Sequence, residues 1–411
     1  MPEPTITVYG AYWCPDCRRA KKFLAEQFIP YNWVDIEQDP QGEQTVLATN
    51  NGKRIIPTIV FADGTFLVEP SNAELAQKLG LKTEARMEVY DLIILGGGPA
   101  GLTASIYTAR EGLETLLIER SGLGGQAGIT VGIENFPGFP DGISGLEFAE
   151  RVTLQARRFG VEILQAFDVV KLENHGGYQC VQNAQGHHYH AKAVLVTTGA
   201  AYRRLDVPGE DDFIGAGIHF CATCDGPFYK GSNQIVVVGG GNSACEEGLH
   251  LTKFADKVTL LVRGDHLTAS QILIDKVSEP SSKIEIKYTT AISSFEGSQS
   301  KLQAVHTRNL QTGETDVLHP AAVFVFIGQQ PNSEFLKGYL QMDPYGYLLT
   351  GRDLPQSQAA GLARAPFAFE TSQPGVFAAG DVRHGSTKQV ASAVGEGAAA
   401  AIAMREYMKT L

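Results

Sequence analysis

Residues 5–9 alternate apolar and polar, the period of a half-buried strand. After Cys14 the period lengthens, and from Pro15 onward Ala20, Phe23, Leu24 and Phe28 fall on one helical face. Residues 31–36 read as a second strand and 41–50 as a weaker helix. Residues 58–61 and 65–68 flank Asp63-Gly64, a turn dipeptide that predicts a hairpin. Ser71 followed by Glu74 spells a capping box and opens a last helix. The order β-α-β-α-β-β-α over residues 1–80 predicts a small α/β unit. Residues 81–88 read as a linker that spans about 30 Å at most.

The pattern changes at residues 89–95, a near-continuous apolar strand that runs into Gly96-Gly97-Gly98-Pro99-Ala100-Gly101. A helix and a strand at 115–118 follow. The same succession recurs at 234–238, at Gly239 to Ala244, in the helix after it and at 258–262. This is an internal duplication of a nucleotide-binding pattern. Beyond about residue 330 the chain turns rich in Gly and Ala and ends in a helix from about Val390.

Composition narrows the class. The chain has 411 residues, 43% hydrophobic and 19% charged, which suits an ordinary soluble protein of several domains. A net charge of −11 gives no support to binding nucleic acid or an anionic membrane. No apolar run approaches the roughly 18 residues of a membrane span. The opening Met-Pro-Glu-Pro has no basic region and no apolar run after it, so a cytoplasmic protein is expected. Four of the six cysteines form two Cys-x-x-Cys pairs. In a reducing compartment such pairs are redox centres or metal ligands.

In the first glycine loop Gly96, Gly98 and Gly101 keep G-x-G-x-x-G spacing. The first permits a tight turn, the second lets backbone approach a pyrophosphate, and the third lets helix pack on strand. The helix N-terminus then faces the anion. Glu119 ends the next strand, roughly 20 residues on, where a carboxylate binds ribose hydroxyls. The second loop carries Gly239, Gly241 and Ala244, with Asn242 and Ser243 at the helix start. Its next strand ends at Arg263, a cation that suits the 2′-phosphate of NADP.

Cys221 and Cys224, with Asp225 directly behind them, leave three readings open: a structural pair, part of a zinc site, or a redox centre. Zinc needs two further ligands. In the redox reading one thiol faces a flavin, the other exchanges with a substrate, and Asp225 carries the proton. Cys14 and Cys17 open a helix after a strand, where terminal amides and the dipole stabilise a thiolate at Cys14. Arg18 and Arg19 add positive potential, and Cys17 resolves a mixed disulfide. Pro57 is placed to stand cis beside that pair. Cys180 and Cys245 read as packing residues. His187, His188 and His190 read as a solvated hairpin with no acid or cysteine near them in sequence.

From residue 89 onward the chain resembles bacterial low-molecular-weight thioredoxin reductases. The resemblance rests on residues 96–101, Gly124-Gly125-Gln126, residues 133–138, 221–226, 239–244 and 375–381. It implies FAD, NADPH and a homodimer. It also implies an FAD domain in two parts, 89–204 and 329–411, around an NAD(P) domain at 205–328 that carries a redox disulfide. By the same resemblance Cys224 faces the flavin, Cys221 exchanges and Asp225 is the acid/base. FAD would be held by Gly96, Gly98, Pro99, Ala100, Gly101, Glu119, Gly125, Gln126, Asn135, Gly199, Gly380, Asp381, Lys388, Gln389 and Val390. NADP would be held by Gly239, Gly241, Asn242, Ser243, Ala244 and Arg263.

Residues 1–80 resemble glutaredoxins, most closely the mycoredoxin-like branch, through residues 13–19, 34–40 and Ile56-Pro57-Thr58. That implies a thioredoxin fold. The expectation is an α/β flavoprotein that passes electrons from NADPH through FAD and Cys221/Cys224 to Cys14/Cys17, and on to thioredoxin- or glutaredoxin-type disulfides. Asp225-Gly226-Pro227-Phe228 resembles the flavoprotein subunit of alkyl hydroperoxide reductase, which implies an alternative with a peroxiredoxin acceptor and NADH. A single arginine at Arg263 keeps a ferredoxin-dependent reductase in view, and a thiol redox sensor is the reading from outside the enzymes.

Overall fold

The computed structural model describes residues 6–11, 13–27, 29–130, 132, 133, 135–298, 301–355 and 364–411, with backbone alone at Glu26, Thr223 and Cys224. Thr5, Phe28 and Glu134, each part of a predicted segment, lie outside the described residues.

The N-terminal unit is a four-stranded sheet ordered β2-β1-β3-β4. Its strands are β1 (Ile6–Gly10), β2 (Asn32–Asp35), β3 (Thr58–Phe61) and β4 (Phe66–Val68). β1 pairs parallel with β2 and antiparallel with β3. Helices Pro15–Glu26, Pro40–Thr49 and Asn72–Lys78 complete the predicted order. The apolar face of the first helix places Ala20, Phe23 and Leu24 in one core with Val8, Ile59 and Leu75. The capping box forms: Ser71 Oγ accepts from the Glu74 amide, and the Glu74 carboxylate accepts from the Ser71 amide at 2.8 Å. Such a cap stabilises a helix by about 1 kcal/mol.

The first Rossmann-type sheet contains β5 (Val89–Leu95), β6 (Thr115–Ile118), β7 (Glu162–Leu164), β8 (Val169–His175), β9 (Tyr178–Asn183) and β10 (His188–Val196). Its order is β7-β6-β5-β10-β9-β8. The second half of β5, Leu92–Leu95, is apolar and buried because both of its faces are covered. Ile93 and Leu95 pack with Leu172, Val181 and Leu336. Leu92 and Ile94 pack with Leu102 and Met404 from the helices beneath.

The chain leaves through β11 (Ala200–Tyr202) and builds a parallel sheet ordered β12-β19-β13-β14-β15. Those strands are β12 (Ile218–His219), β13 (Ser232–Val238), β14 (Ala255–Leu261), β15 (Ile284–Lys287) and, after the antiparallel β16 (Thr290–Ser298), β17 (Lys301–Asn309) and β18 (Thr315–Leu318), β19 (Ala322–Val325). It returns through β20 (Gln329–Pro331), which pairs antiparallel with β11. The outgoing and returning chains therefore form one two-stranded ribbon. β21 (Val376–Ala378) then pairs with the end of β10, and helix Val390–Met408 closes the chain. A β-carbon on Gly397 would lie 2.2 Å from the Ala100 carbonyl oxygen, so this helix rests directly on helix Pro99–Arg110. Among the described residues no helix is long and apolar enough to cross a membrane.

The linker is docked rather than loose. Its Lys82 carbonyl accepts from the Gln165 amide at 2.7 Å, and the Ala85 amide donates to the Tyr189 hydroxyl at 3.1 Å. Lys82 and Arg86 pair with Glu162, whose side chain is only 2% exposed and also accepts from the Tyr90 hydroxyl. A buried carboxylate is costly unless paired, and the linker supplies the cations. Gln27 Nε2 also donates to the Arg120 carbonyl at 2.8 Å, and Ala166 packs on the small core.

Burial pushes the Glu162 carboxyl up, but hydrogen bonds from Lys82, Tyr90 and Arg86 outweigh it and hold it at about 2. A depressed carboxyl contributes stability that is complete above its unfolded value, near 4.3, and is lost as pH falls through the folded one. Glu162→Gln should therefore cost about 2 kcal/mol at pH 7, and the gap should narrow at pH 3 in denaturant titrations. An equal gap at both pH values would show that the ionised carboxylate does not anchor the linker.

Candidate active site

At the end of β5 the chain turns at Gly96, where φ is +109° and a β-carbon would lie 2.3 Å from the Thr197 carbonyl oxygen. A β-carbon on Gly101 would lie 1.9 Å from the Gly96 carbonyl oxygen, while the space at Gly98 is open. The outer glycines thus close the turn and the middle one leaves the backbone approachable. Pro99 and Ala100 begin the helix. The buried Glu119 carboxylate accepts from the Gly97 amide at 2.6 Å and the Ser121 amide at 2.7 Å, and burial pushes it up. A cavity of about 820 Å³ opens here, lined by Gly96, Glu119, Arg120, Thr198 and Tyr202 among others.

Distant stretches converge on this turn. The Gly124 amide donates to the Gly97 carbonyl, and a β-carbon on Gly125 would touch Gly98. Gln126 follows, exposed. A β-carbon on Gly380 would lie 3.1 Å from that of Ala100, and the Gly380 amide donates to Glu396 at 2.8 Å. Burial pushes the neighbouring Asp381 carboxyl up, against the pull of Lys388. Lys388 sits 4.1 Å over the Tyr347 ring. Asn135 Nδ2 donates to Gln389 Oε1 at 3.0 Å, directly before Val390 opens the last helix. The Gly199 carbonyl accepts from the Asn332 amide.

The second loop repeats the design. Gly239 has φ +144°, and its β-carbon would lie 2.5 Å from the Phe326 carbonyl oxygen, just past β19. Ala244 replaces the third glycine and stands beside Gly239. Asn242 accepts from the Ser270 amide at 2.7 Å, and Thr268 Oγ1 donates to the Gly240 carbonyl. Gly241 precedes the helix, Ser243 is exposed in its first turn, and Arg263 is exposed just beyond β14.

β12 leads to Cys221, which is disulfide-bonded. The side chain of Cys224 lies outside the described residues. Asp225 is buried, and its Oδ2 stands 3.5 Å from His219 Nδ1, while His219 Nε2 meets the Tyr229 hydroxyl at 2.6 Å. Burial, aided by Asp225, pushes Tyr229 up to about 12. The Ala222 amide bonds the Glu247 carboxylate, which burial pushes up. Phe220 stacks on Tyr202 at 4.9 Å, and a β-carbon on Gly132 would strike the Phe228 ring. Burial pushes Tyr202 up to about 12, with Asp381 and Asp225 both adding. Tyr202 therefore stacks on the dithiol segment within electrostatic reach of Asp381.

The sequence pattern described as pyridine nucleotide-disulphide oxidoreductase matches residues 90–397. The chain belongs to that family. A glutaredoxin pattern matches residues 6–67. A thioredoxin reductase of Streptomyces clavuligerus is 39% identical over 326 residues, 79% of this chain and 95% of that protein. A crystal structure of thioredoxin reductase from Streptococcus pyogenes shares 37% identity with a TM-score of 0.70, covering 79% of this chain and 99% of that one. The Lactococcus lactis thioredoxin reductase in its FR conformation shares 34% identity over 78% of this chain and 100% of that one, with a TM-score of 0.52.

This disulphide oxidoreductase uses FAD and NADPH. The first loop and its cavity fit FAD: a β-carbon would fill the turn at Gly96, Gly98 is open, and an acid stands in the cavity wall. The second loop fits a nucleotide on the same grounds at Gly239.

The family member carries its extra domain with a complete dithiol site. Cys14 caps helix Pro15–Glu26, and its Sγ accepts from the Cys17 amide at 3.0 Å. Cys14 and Cys17 are joined in a disulfide, with 5.3 Å between their Cα atoms. The Ile56–Pro57 bond is cis, and Cys14 Sγ lies 3.8 Å from the Ile56 carbonyl oxygen. Trp13 beside it is 61% exposed. The cap amide stabilises a thiolate at Cys14 once the disulfide opens.

Sequence reasoning missed His219, Tyr229, Glu247, Tyr202 and Glu396. Only His219, two residues before Cys221, carried a local hint. Tyr229 ends the turn that follows Asp225, and Tyr202, Glu247 and Glu396 reach the site from elsewhere in the fold.

Glu119 both holds the Gly97 amide and lines the cavity, so Glu119→Ala should raise the FAD dissociation constant at least about tenfold, the equivalent of one charge-assisted hydrogen bond. Flavin retained after dialysis measures this, and full retention would remove Glu119 from the flavin site.

Proposed function

We propose that this oxidoreductase is a thioredoxin reductase-type enzyme that carries its first protein substrate on its own chain. Cys221 and Cys224 reduce the Cys14–Cys17 disulfide, and Cys14 then reduces thioredoxin- or glutaredoxin-type disulfides of other proteins. The observation that carries this reading is the Cys14–Cys17 disulfide at a helix N-terminus, on a chain whose remainder belongs to the disulphide oxidoreductases.

In this reading the small domain is 1–80, and the nucleotide domain 205–328 is set between the FAD-domain parts 89–204 and 329–411. Gly96, Gly98, Gly101 and Glu119 hold the FAD dinucleotide, with Gly125, Gln126, Asn135, Gly199, Gly380, Asp381, Lys388, Gln389 and Val390 around its flavin half. Gly239, Gly241, Asn242, Ser243 and Ala244 hold the NADPH pyrophosphate, and Arg263 its 2′-phosphate. When bound, FAD and NADPH supply the electron pair that opens the Cys221–Cys224 disulfide.

The remaining steps belong to the chain's own side chains. The Cys221 thiolate attacks Cys14 Sγ; the Cys221–Cys14 bond forms as Cys14–Cys17 breaks, and Cys17 leaves as the thiolate. Cys224 then attacks Cys221, restores that disulfide and releases Cys14. Asp225 takes and returns the proton of the attacking thiol, with His219 and Tyr229 holding it in place.

The Cys221/Cys224 pair cannot lie against the FAD site and meet a protein disulfide at once, so the nucleotide domain turns. The hinges are residues 202–208 and 328–331, at the ends of the β11–β20 ribbon. The lower TM-score to a relative of similar identity in its FR conformation supports two domain arrangements. A homodimer in the cytoplasm, where thiol pools keep such pairs cycling, completes the reading.

Cys14→Ser should reduce turnover of the external disulfide at least a hundredfold. Anaerobic bleaching of the flavin by NADPH should be unchanged. A Cys14→Ser enzyme that reduces thioredoxin at the normal rate would rule out the relay.

A further inference from the structure

Away from both dithiols, the antiparallel run β8-β9-β10 gathers a thiol and three imidazoles. Register sets Cys180 on β9 opposite His190 on β10 and opposite Glu173 on β8. His175 lies two residues beyond Glu173, and His188 two before His190, which puts all of them on one face of the sheet. A ligand atom from each of His175, Cys180 and His190 lies within 4.8 Å of the others. The rings of His175 and His190 are 5.9 Å apart, and those of His188 and His190 are 5.2 Å apart. The histidine tract does lie on an exposed hairpin, β9–β10, but its neighbours in space are not its neighbours in sequence. Strand pairing places Cys180 and Glu173 beside it.

We propose that His175, Cys180 and His190 form a binding site for a zinc-class divalent ion, with His188 available at the fourth position. One thiolate with two or three imidazoles is a donor set that suits zinc. Bonds of 2.0–2.3 Å place tetrahedral ligand atoms about 3.3–3.8 Å apart. The present spacing closes to that by small rotamer adjustment of the exposed His175 and His188 rings, while Cys180 is fixed in the sheet.

The surroundings orient the ligands. Glu173 Oε1 meets His175 Nε2 at 2.9 Å, which leaves Nδ1 for the ion, the carboxylate–histidine–metal arrangement of many zinc sites. His188 Nδ1 stands 3.3 Å from the Gly186 carbonyl oxygen, which leaves Nε2. His190, opposite Cys180 in the register and within ring contact of both His175 and His188, completes the set. Cys180 would bind as the thiolate, so metal binding would release a proton. The bound ion would clip β8 to β10 across β9.

The test uses the FAD-loaded, fully oxidised enzyme, so that the redox cysteines are tied in disulfides and cannot compete. Metal-free protein is dialysed against zinc, the zinc is counted, and its coordination is read by X-ray absorption at the zinc edge. The expected result is one zinc per chain with one sulfur at about 2.3 Å and two or three nitrogens at about 2.0–2.1 Å. Cys180→Ser and His190→Gln should each weaken binding at least about tenfold. His175→Gln, at an exposed position that cannot unfold the protein, should weaken it as well. No stoichiometric zinc, a sulfur-free shell, or unchanged binding in Cys180→Ser and His175→Gln would overturn the proposal.

Discussion

A backbone that must approach a phosphate closely cannot carry a β-carbon where the chain folds back on its neighbouring strand. That exclusion shapes this molecule twice. At Gly96 the forbidden β-carbon would meet the carbonyl after β10, and at Gly239 the carbonyl after β19. Each strand, turn and helix is locked to the next strand by this contact. The first loop is the tighter, since Gly101 cannot hold even a methyl group, whereas the second accepts Ala244. Around the first loop the rest of the flavin domain assembles: the Gly124 turn, the Gly380-Asp381 turn and the final helix, which approaches through Gly397.

The dithiol segment is placed by a second constraint, the need to keep a buried acid in company. Asp225 has His219 beside it, His219 has Tyr229, and both rings lean on Phe324. This chain of polar contacts ties the short helix after Cys221 to the nucleotide-domain sheet. The exposed Phe228 and the stacked Phe220 lie against Gly132 and Tyr202 on the flavin side. The segment therefore is rooted in the second sheet and faces the first. The β11–β20 ribbon joins the two domains by only a short hydrogen-bonded crossing.

The fused domain follows the same logic on a smaller scale. Its own core is complete, with Val8, Leu24, Ile59 and Leu75 fully buried. Its position depends on the linker, where Lys82 and Arg86 meet the buried Glu162. That pairing turns a short tether into an anchor and keeps Cys14 on a domain held near its reductase.

Local rules determined much of this by themselves. The strand and helix periods, the Asp63-Gly64 turn, the Ser71–Glu74 capping box and both glycine loops follow from interactions within a few residues, and among the described residues they appear close to where the sequence places them. The two Cys-x-x-Cys pairs were equally legible, because their chemistry needs only a fixed short spacing. Tertiary structure alone decided the rest. Glu162 is a linker anchor only because its strand is buried, and Tyr202, Glu247 and Glu396 reach the site from other segments. Cys180 meets His190 and His175 only through strand register, which is set by the packing of whole faces against a core. Such contacts join residues that share no local pattern, so the sequence holds no periodic or motif signal for them.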